Sequence, residues 1–120
     1  PDVCAVGGIT ASKKICAIAE ANDVLVIPHN PLGPVSTAAC LQICASVPNF
    51  GIQELPGFCL NGAEDAMVQK PFQVEDGCLL IPDAPGIGVE LSENASELYP
   101  LNDRGGINAK RMFDGSVKDW

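Results

Sequence analysis

The chain has 120 residues, 47% of them hydrophobic and 18% charged, and its 7 basic and 15 acidic side chains leave a net charge of −8. That length suits one small domain, and the apolar content excludes intrinsic disorder. The acidic balance makes nucleic acid and an anionic membrane unsuitable partners; an anionic substrate would need a local positive charge, such as a metal ion. No run approaches the ~18 apolar residues of a membrane span. No basic-then-apolar leader opens the chain. It starts on Pro1-Asp2 in mid-pattern with no methionine before Met67, which predicts a segment of a longer protein.

Residues 2–6 read as the end of a buried strand, broken by Gly7-Gly8. Thr10 or Ser12 can cap a helix to about residue 21, with Ile15, Cys16, Ile18 and Ala19 at helical spacing and Lys13 and Lys14 outward. Asn22-Asp23 turns the chain into Val24-Leu25-Val26-Ile27, an apolar run suited to a strand buried on both faces. The loop Pro28-His29-Asn30-Pro31-Leu32-Gly33-Pro34 holds the one histidine of the sequence. A second helix is predicted over 36–46, ended by Pro48-Asn49, and a third strand over 50–53 delivers Glu54. Strand, helix, strand, helix, strand is the pattern of parallel βαβ units.

After Glu54 the pattern changes. Residues 55–70 read as a surface excursion, with a short helix near 63–67. Phe72-Gln73-Val74 and Cys78-Leu79-Leu80-Ile81 form a hairpin around Glu75-Asp76-Gly77. Residues 82–88 are a stiff loop, and Ser92 caps a short helix to residue 98. The predicted organisation is βα units over 1–55, loop, hairpin and short helix over 56–100, and a tail over 101–120. Gly86-Ile87-Gly88 lacks the third glycine of a nucleotide fingerprint.

The six cysteines, Cys4, Cys16, Cys40, Cys44, Cys59 and Cys78, include no CxxC pair. Cys40 and Cys44 share a helical face, which reads either as half a metal site or as two small buried hydrophobes; the second reading is favoured. Cysteines scattered through apolar elements point to a reducing, cytoplasmic location. In that setting the glycosylation acceptor Asn94-Ala95-Ser96 is a chance match.

Asp2 opens the first predicted strand, His29 follows the second and Glu54 follows the third. In a parallel barrel the C-terminal strand ends face one side, where active sites form, with Asp2 set slightly deeper. A carboxylate bonded to one imidazole nitrogen fixes the tautomer and leaves the other nitrogen to take a proton. Glu54 can hydrogen-bond a developing oxyanion if protonated, or orient a hydroxyl if not.

Together with Val6-Gly7-Gly8-Ile9-Thr10, Phe50-Gly51-Ile52-Gln53-Glu54 and 81–89, these residues resemble the enolase superfamily, in its mandelate racemase-like branch. Asp2 and His29 lie 27 positions apart and Glu54 follows His29 by 25, which resembles that branch's sugar-acid dehydratases. The resemblance covers about residues 1–100. It implies an α/β fold, the C-terminal portion of a (β/α)7β TIM-like barrel with a hairpin and tail. It implies His29 as general base, Asp2 as its dyad partner and Glu54 as enolate stabiliser, with Asn30 and Pro31 among substrate-binding positions. It also implies Mg2+, with ligands from strands outside this chain, an aldonate substrate (D-galactonate first), and a homo-oligomeric full-length protein. The enolate would lack its metal in this chain alone, so the segment by itself is expected to be inactive and poorly soluble. The alternatives are a racemase or epimerase of the same superfamily, another aldonate dehydratase, a truncated non-catalytic binding protein, and a free-standing small-molecule binding domain.

Overall fold

The structure, a computed structural model, describes residues 1–57, 65–100 and 113–114. The expected tail over 101–120 and the start of the helix near 63 lie outside these residues, apart from a turn at 113–114. Two helices dominate, α1 (Ile9–Glu20) and α2 (Pro34–Ala45). A 3-10 turn at Asp65–Met67 follows, then β1 (Val74–Glu75), β2 (Cys78–Leu79) and a single-turn helix α3 (Ala95–Leu98).

The helices begin earlier than the side-chain caps predict. Neither Thr10 nor Ser12 caps α1; Gly8 does, at φ 90°, and Ser12 Oγ donates back to the Gly8 carbonyl at 3.0 Å. The positive φ is open to glycine without steric cost. Helix α2 starts on Pro34, whose missing N–H costs nothing at the first helical position. Its last turn is held from α1: Lys13 Nζ donates to the Ser46 carbonyl and, at 3.1 Å, to Ser46 Oγ. Lys13 therefore spans the two helices instead of pointing outward, placing a cation at a helix C-terminus.

The predicted strands are only partly realised. Residues 3–7 are turns, not a strand; the Asp2 carbonyl accepts from Ala5 and Val6 at 3.1 and 3.0 Å, so the segment satisfies itself by curling. The other two segments run parallel and meet in one bridge, Val26 to Phe50, with Val26 N donating to Asn49 O (2.8 Å) and Gly51 N to Val26 O (2.9 Å). Val26 is buried, whereas Val24, Leu25 and Ile27 are exposed, contrary to the two-sided burial expected of this run. Among the described residues no further strand covers their outer face.

The core is Val3, Cys16, Val26, Cys40 and Ile43, with Ala19, Ala39 and Val47 packed against it. On α1 the buried residues are Ser12 and Cys16; Ile15 and Ile18, expected on the inner face, are exposed. Helix α2 is buried at seven of its twelve positions. Asn49 joins these layers: its Nδ2 donates to Cys16 O (3.1 Å) and Val24 O (2.9 Å).

The hairpin lies where predicted, shorter than expected. Val74 pairs with Leu79 and Glu75 with Cys78. Asp76 and Gly77 both take positive φ, 49° and 78°, as a two-residue turn of this hand requires. A second antiparallel bridge joins Val68 to Leu91, and Gln42 Nε2 on α2 donates to Ile87 O at 3.3 Å, which ties the C-terminal part to the helices. Ser92 does not cap α3 with its side chain; its carbonyl accepts from Ala95 N at 3.0 Å. Among the described residues no helix is long and apolar enough to cross a membrane.

Candidate active site

His29 leaves the Val26 segment with its backbone anchored, its N–H donating to Pro1 O at 2.9 Å. Its Nδ1 lies 2.9 Å from Asp2 Oδ2. The other carboxylate oxygen, Oδ1, accepts from the backbone N–H groups of Cys4 (2.8 Å) and Ala5 (3.2 Å). The curled start of the chain thus builds a small cradle for one carboxylate. A carboxylate can only accept, so in the neutral ring Nδ1 carries the proton and Nε2 the lone pair. The Asp2 side chain is 11% exposed and that of His29 52%, so the carboxylate sits behind a ring that meets solvent.

Partial burial pushes the Asp2 pKa up. The hydrogen bonds from His29, Cys4 and Ala5, and the charge of the imidazole when protonated, outweigh it and hold the carboxyl below its ordinary value.

Glu54 reaches the same loop. Its Oε2 accepts from the backbone N–H of Asn30 at 2.6 Å, one residue beyond the histidine. Asp2, His29, Asn30 and Glu54 thereby form one connected run of polar contacts. Asn30 is fully buried, and its Nδ2 donates to Thr37 Oγ1 (2.9 Å) and Glu54 O (3.3 Å); Pro31 beside it is exposed. The amide, expected among the substrate contacts, directs its two side-chain donor bonds in this chain to protein atoms.

A cavity of about 710 Å³ opens between the end of α2, residues 50–55 and the hairpin, lined by Leu41, Phe50, Ile52, Leu55 and Leu79 among others. It is apolar and does not include Asp2, His29 or Glu54. The polar run is the better site: it unites a proton acceptor, its orienting carboxylate and a second carboxyl, whereas the cavity offers few polar groups.

Among the described residues no three His, Cys, Asp or Glu side chains come together as metal ligands. Asp2 and Glu54 each spend at least one oxygen on protein donors. The described residues do not fit a magnesium site. Cys40 is buried and Cys44 half-buried, with Cys44 Sγ donating to Gln53 Oε1 at 3.0 Å; burial pushes both thiols up to about 11, so each stays protonated, as small core residues do.

Residues 1–95 match the family model of the enolase C-terminal domain-like proteins, and the chain belongs to that family. Among curated relatives it is similar to the D-galactonate dehydratases of Variovorax paradoxus (strain S110), 41% identical, and of Xanthomonas oryzae pv. oryzae (strain PXO99A), 40% identical, each over the whole of this chain. It spans 33% of the length of each. Among solved structures it is similar to an enolase superfamily member from Salmonella Typhimurium, with a TM-score of 0.75 and 38% identity over 81% of this chain and 25% of that one. It is also similar to an enolase of the mandelate racemase subgroup from Agrobacterium tumefaciens (TM-score 0.67, 29% identity, 77% of this chain and 24% of that one). A Burkholderia xenovorans (strain LB400) structure bound to magnesium and fumarate matches with a TM-score of 0.71 and 34% identity over 82% of this chain and 24% of that one. The fold is therefore the expected one: this chain is a portion of an enolase-type barrel.

Proposed function

We propose that this chain is the base-bearing segment of a sugar-acid dehydratase, with D-galactonate as the leading substrate. The observation that carries the reading is the 2.9 Å contact between His29 Nδ1 and Asp2 Oδ2 beside a Glu54 carboxyl held on the neighbouring residue. Similarity to the D-galactonate dehydratases supports the choice of substrate.

In this reading His29 Nε2 takes the proton on the carbon α to the substrate carboxylate. The C–H electron pair moves into the carboxylate, which becomes an enolate. Glu54, with Oε2 committed to the Asn30 N–H, offers Oε1 to the enolate oxygen as a hydrogen-bond donor when protonated. The enolate pair then forms the C2=C3 bond as the C3–O bond breaks, the leaving hydroxyl taking a proton from a general acid outside this chain to depart as water; the enol that remains takes a proton at C3 and tautomerises to a 2-keto-3-deoxy acid. Magnesium belongs to this reading through ligands on strands outside this chain. In this reading the enzyme is a homo-oligomeric, cytoplasmic full-length protein, and the 120-residue chain alone is inactive.

The test is α-proton exchange of D-galactonate in deuterated water, catalysed by the full-length protein. His29→Asn is expected to slow exchange by about 10²–10⁴-fold, and the isolated chain, assayed in parallel, to give none. Exchange at the original rate in His29→Asn would remove His29 as the base. Exchange by the parent protein without loss of water would point to a racemase or epimerase.

A further inference from the structure

Asn30 holds Glu54 at two points. Its backbone N–H donates to Glu54 Oε2 at 2.6 Å, and its side-chain Nδ2 donates to the Glu54 carbonyl at 3.3 Å. The same Nδ2 donates to Thr37 Oγ1 at 2.9 Å, and Thr37 Oγ1 lies 3.4 Å from the Gly33 carbonyl, to which it donates. Asn30 and Thr37 are both fully buried. The amide orientation follows from its partners, since a flipped amide would set its oxygen against the Glu54 carbonyl.

These bonds link three separate pieces of backbone. His29 and Asn30 lie on the loop that leaves the Val26 segment. Thr37 lies in the first turn of α2. Glu54 follows the Phe50 segment. We propose that Asn30 and Thr37 form a positioning pair, which locks the Glu54 carboxyl to the residue beside the base and references both to the rigid start of α2. The proposal rests on the dehydratase reading for its consequence in catalysis. Asn30 acts here through Glu54 and does not itself touch substrate.

A carboxyl aimed at an enolate oxygen gains its effect from placement, and a displacement near 1 Å can cost about 10²-fold. Loss of the Thr37 hydroxyl leaves Asn30 Nδ2 with only the longer bond to Glu54. Thr37→Val keeps the shape and β-branching of the side chain but cannot accept a hydrogen bond. Thr37→Ser keeps the hydroxyl. Asn30→Ala removes both side-chain bonds and risks the fold, so the Thr37 pair is the sharper instrument.

The experiment uses the full-length protein and D-galactonate. Thr37→Val is expected to lower kcat by ~10-fold or more with KM within about twofold, and Thr37→Ser to stay within about threefold of the parent. An unchanged kcat in Thr37→Val, or a rise in KM alone, overturns the proposal. A second readout needs no turnover: amide hydrogen exchange followed by mass spectrometry. In Thr37→Val the peptides covering 29–33 and 53–55 are expected to exchange faster together, while α1 is unchanged. Unchanged exchange in both peptides, or a rise in one alone, also overturns the proposal. If the parent protein turns over no aldonate and the two peptides still loosen together, the dehydratase reading falls and the positioning pair stands.

Discussion

At the Asp2 carboxyl, burial and hydrogen bonding pull in opposite directions, and hydrogen bonding wins. The consequence for stability has a definite sign. A carboxyl whose pKa is lower in the folded than in the unfolded chain contributes stability fully above its unfolded value, and loses that contribution as pH falls through the folded one. Taking 3.8 as the ordinary value, the contribution is intact near neutrality and disappears only in strong acid. Acid unfolding of the full-length protein compared with Asp2→Asn checks this: the stability gap is expected to close as pH falls below the ordinary value of 3.8. A gap that persisted or widened below that value would contradict it. The Asp2–His29 pairing was legible in the sequence because both ends are chemically distinctive and their spacing matches a known family. The roles of Asn30 and Lys13 were not. Each depends on a partner far along the chain, Glu54 in one case and Ser46 in the other, and neither has a local sequence signature.

At the scale of elements, the helices were legible and the strands only in part. Gly8 and the Gly33-Pro34 pair set the helix starts through backbone freedom and a fixed φ, which moved α1 ahead of its expected capping side chains and α2 ahead of its expected start at residue 36. A strand, by contrast, exists only through its neighbours. Residues 24–27 have strand composition, yet one parallel bridge is all that the described residues supply. Beside the backbone bond from Val24 N to Ala19 O (2.9 Å), one buried amide joins helix to strand. Asn49 donates to carbonyls on α1 and on the Val24 segment, and Asn49→Ala removes the donor from both. The expected loss is about 1–3 kcal/mol, read by denaturant unfolding of the full-length protein; a change below ~0.5 kcal/mol would show that the two carbonyls find other partners. From the sequence Asn49 marked only the end of a helix, because a turn-forming residue and a buried cross-link look alike before the fold is known.

At the scale of the molecule, the described residues close an inner layer and leave the outer apolar face exposed. Ser12, Cys16 and the α2 face are closed, while Leu25 and Ile18 are each 67% exposed, with Ile52 at 63% and Ile27 at 55%. Exposed apolar strand-like backbone is a template for pairing with another chain. The isolated 120-residue chain is expected to self-associate, with sedimentation showing species above the monomer that grow with concentration. A sharp, reversible monomer melt would contradict that. The overall architecture was legible because the alternation of apolar runs and helical patterns survives in the sequence; how much of each run is covered was not, since coverage depends on partners rather than on the run itself.

The row of Val24, Leu25, Ile27 and Ile52 also bears on the fate of the polypeptide in a cell. Exposed apolar stretches of this kind expose a chain to chaperone and protease triage. While that row stays uncovered, this segment is open to such triage even though its histidine and carboxylate have already met. A surface that covers the row is expected to lengthen its cellular lifetime.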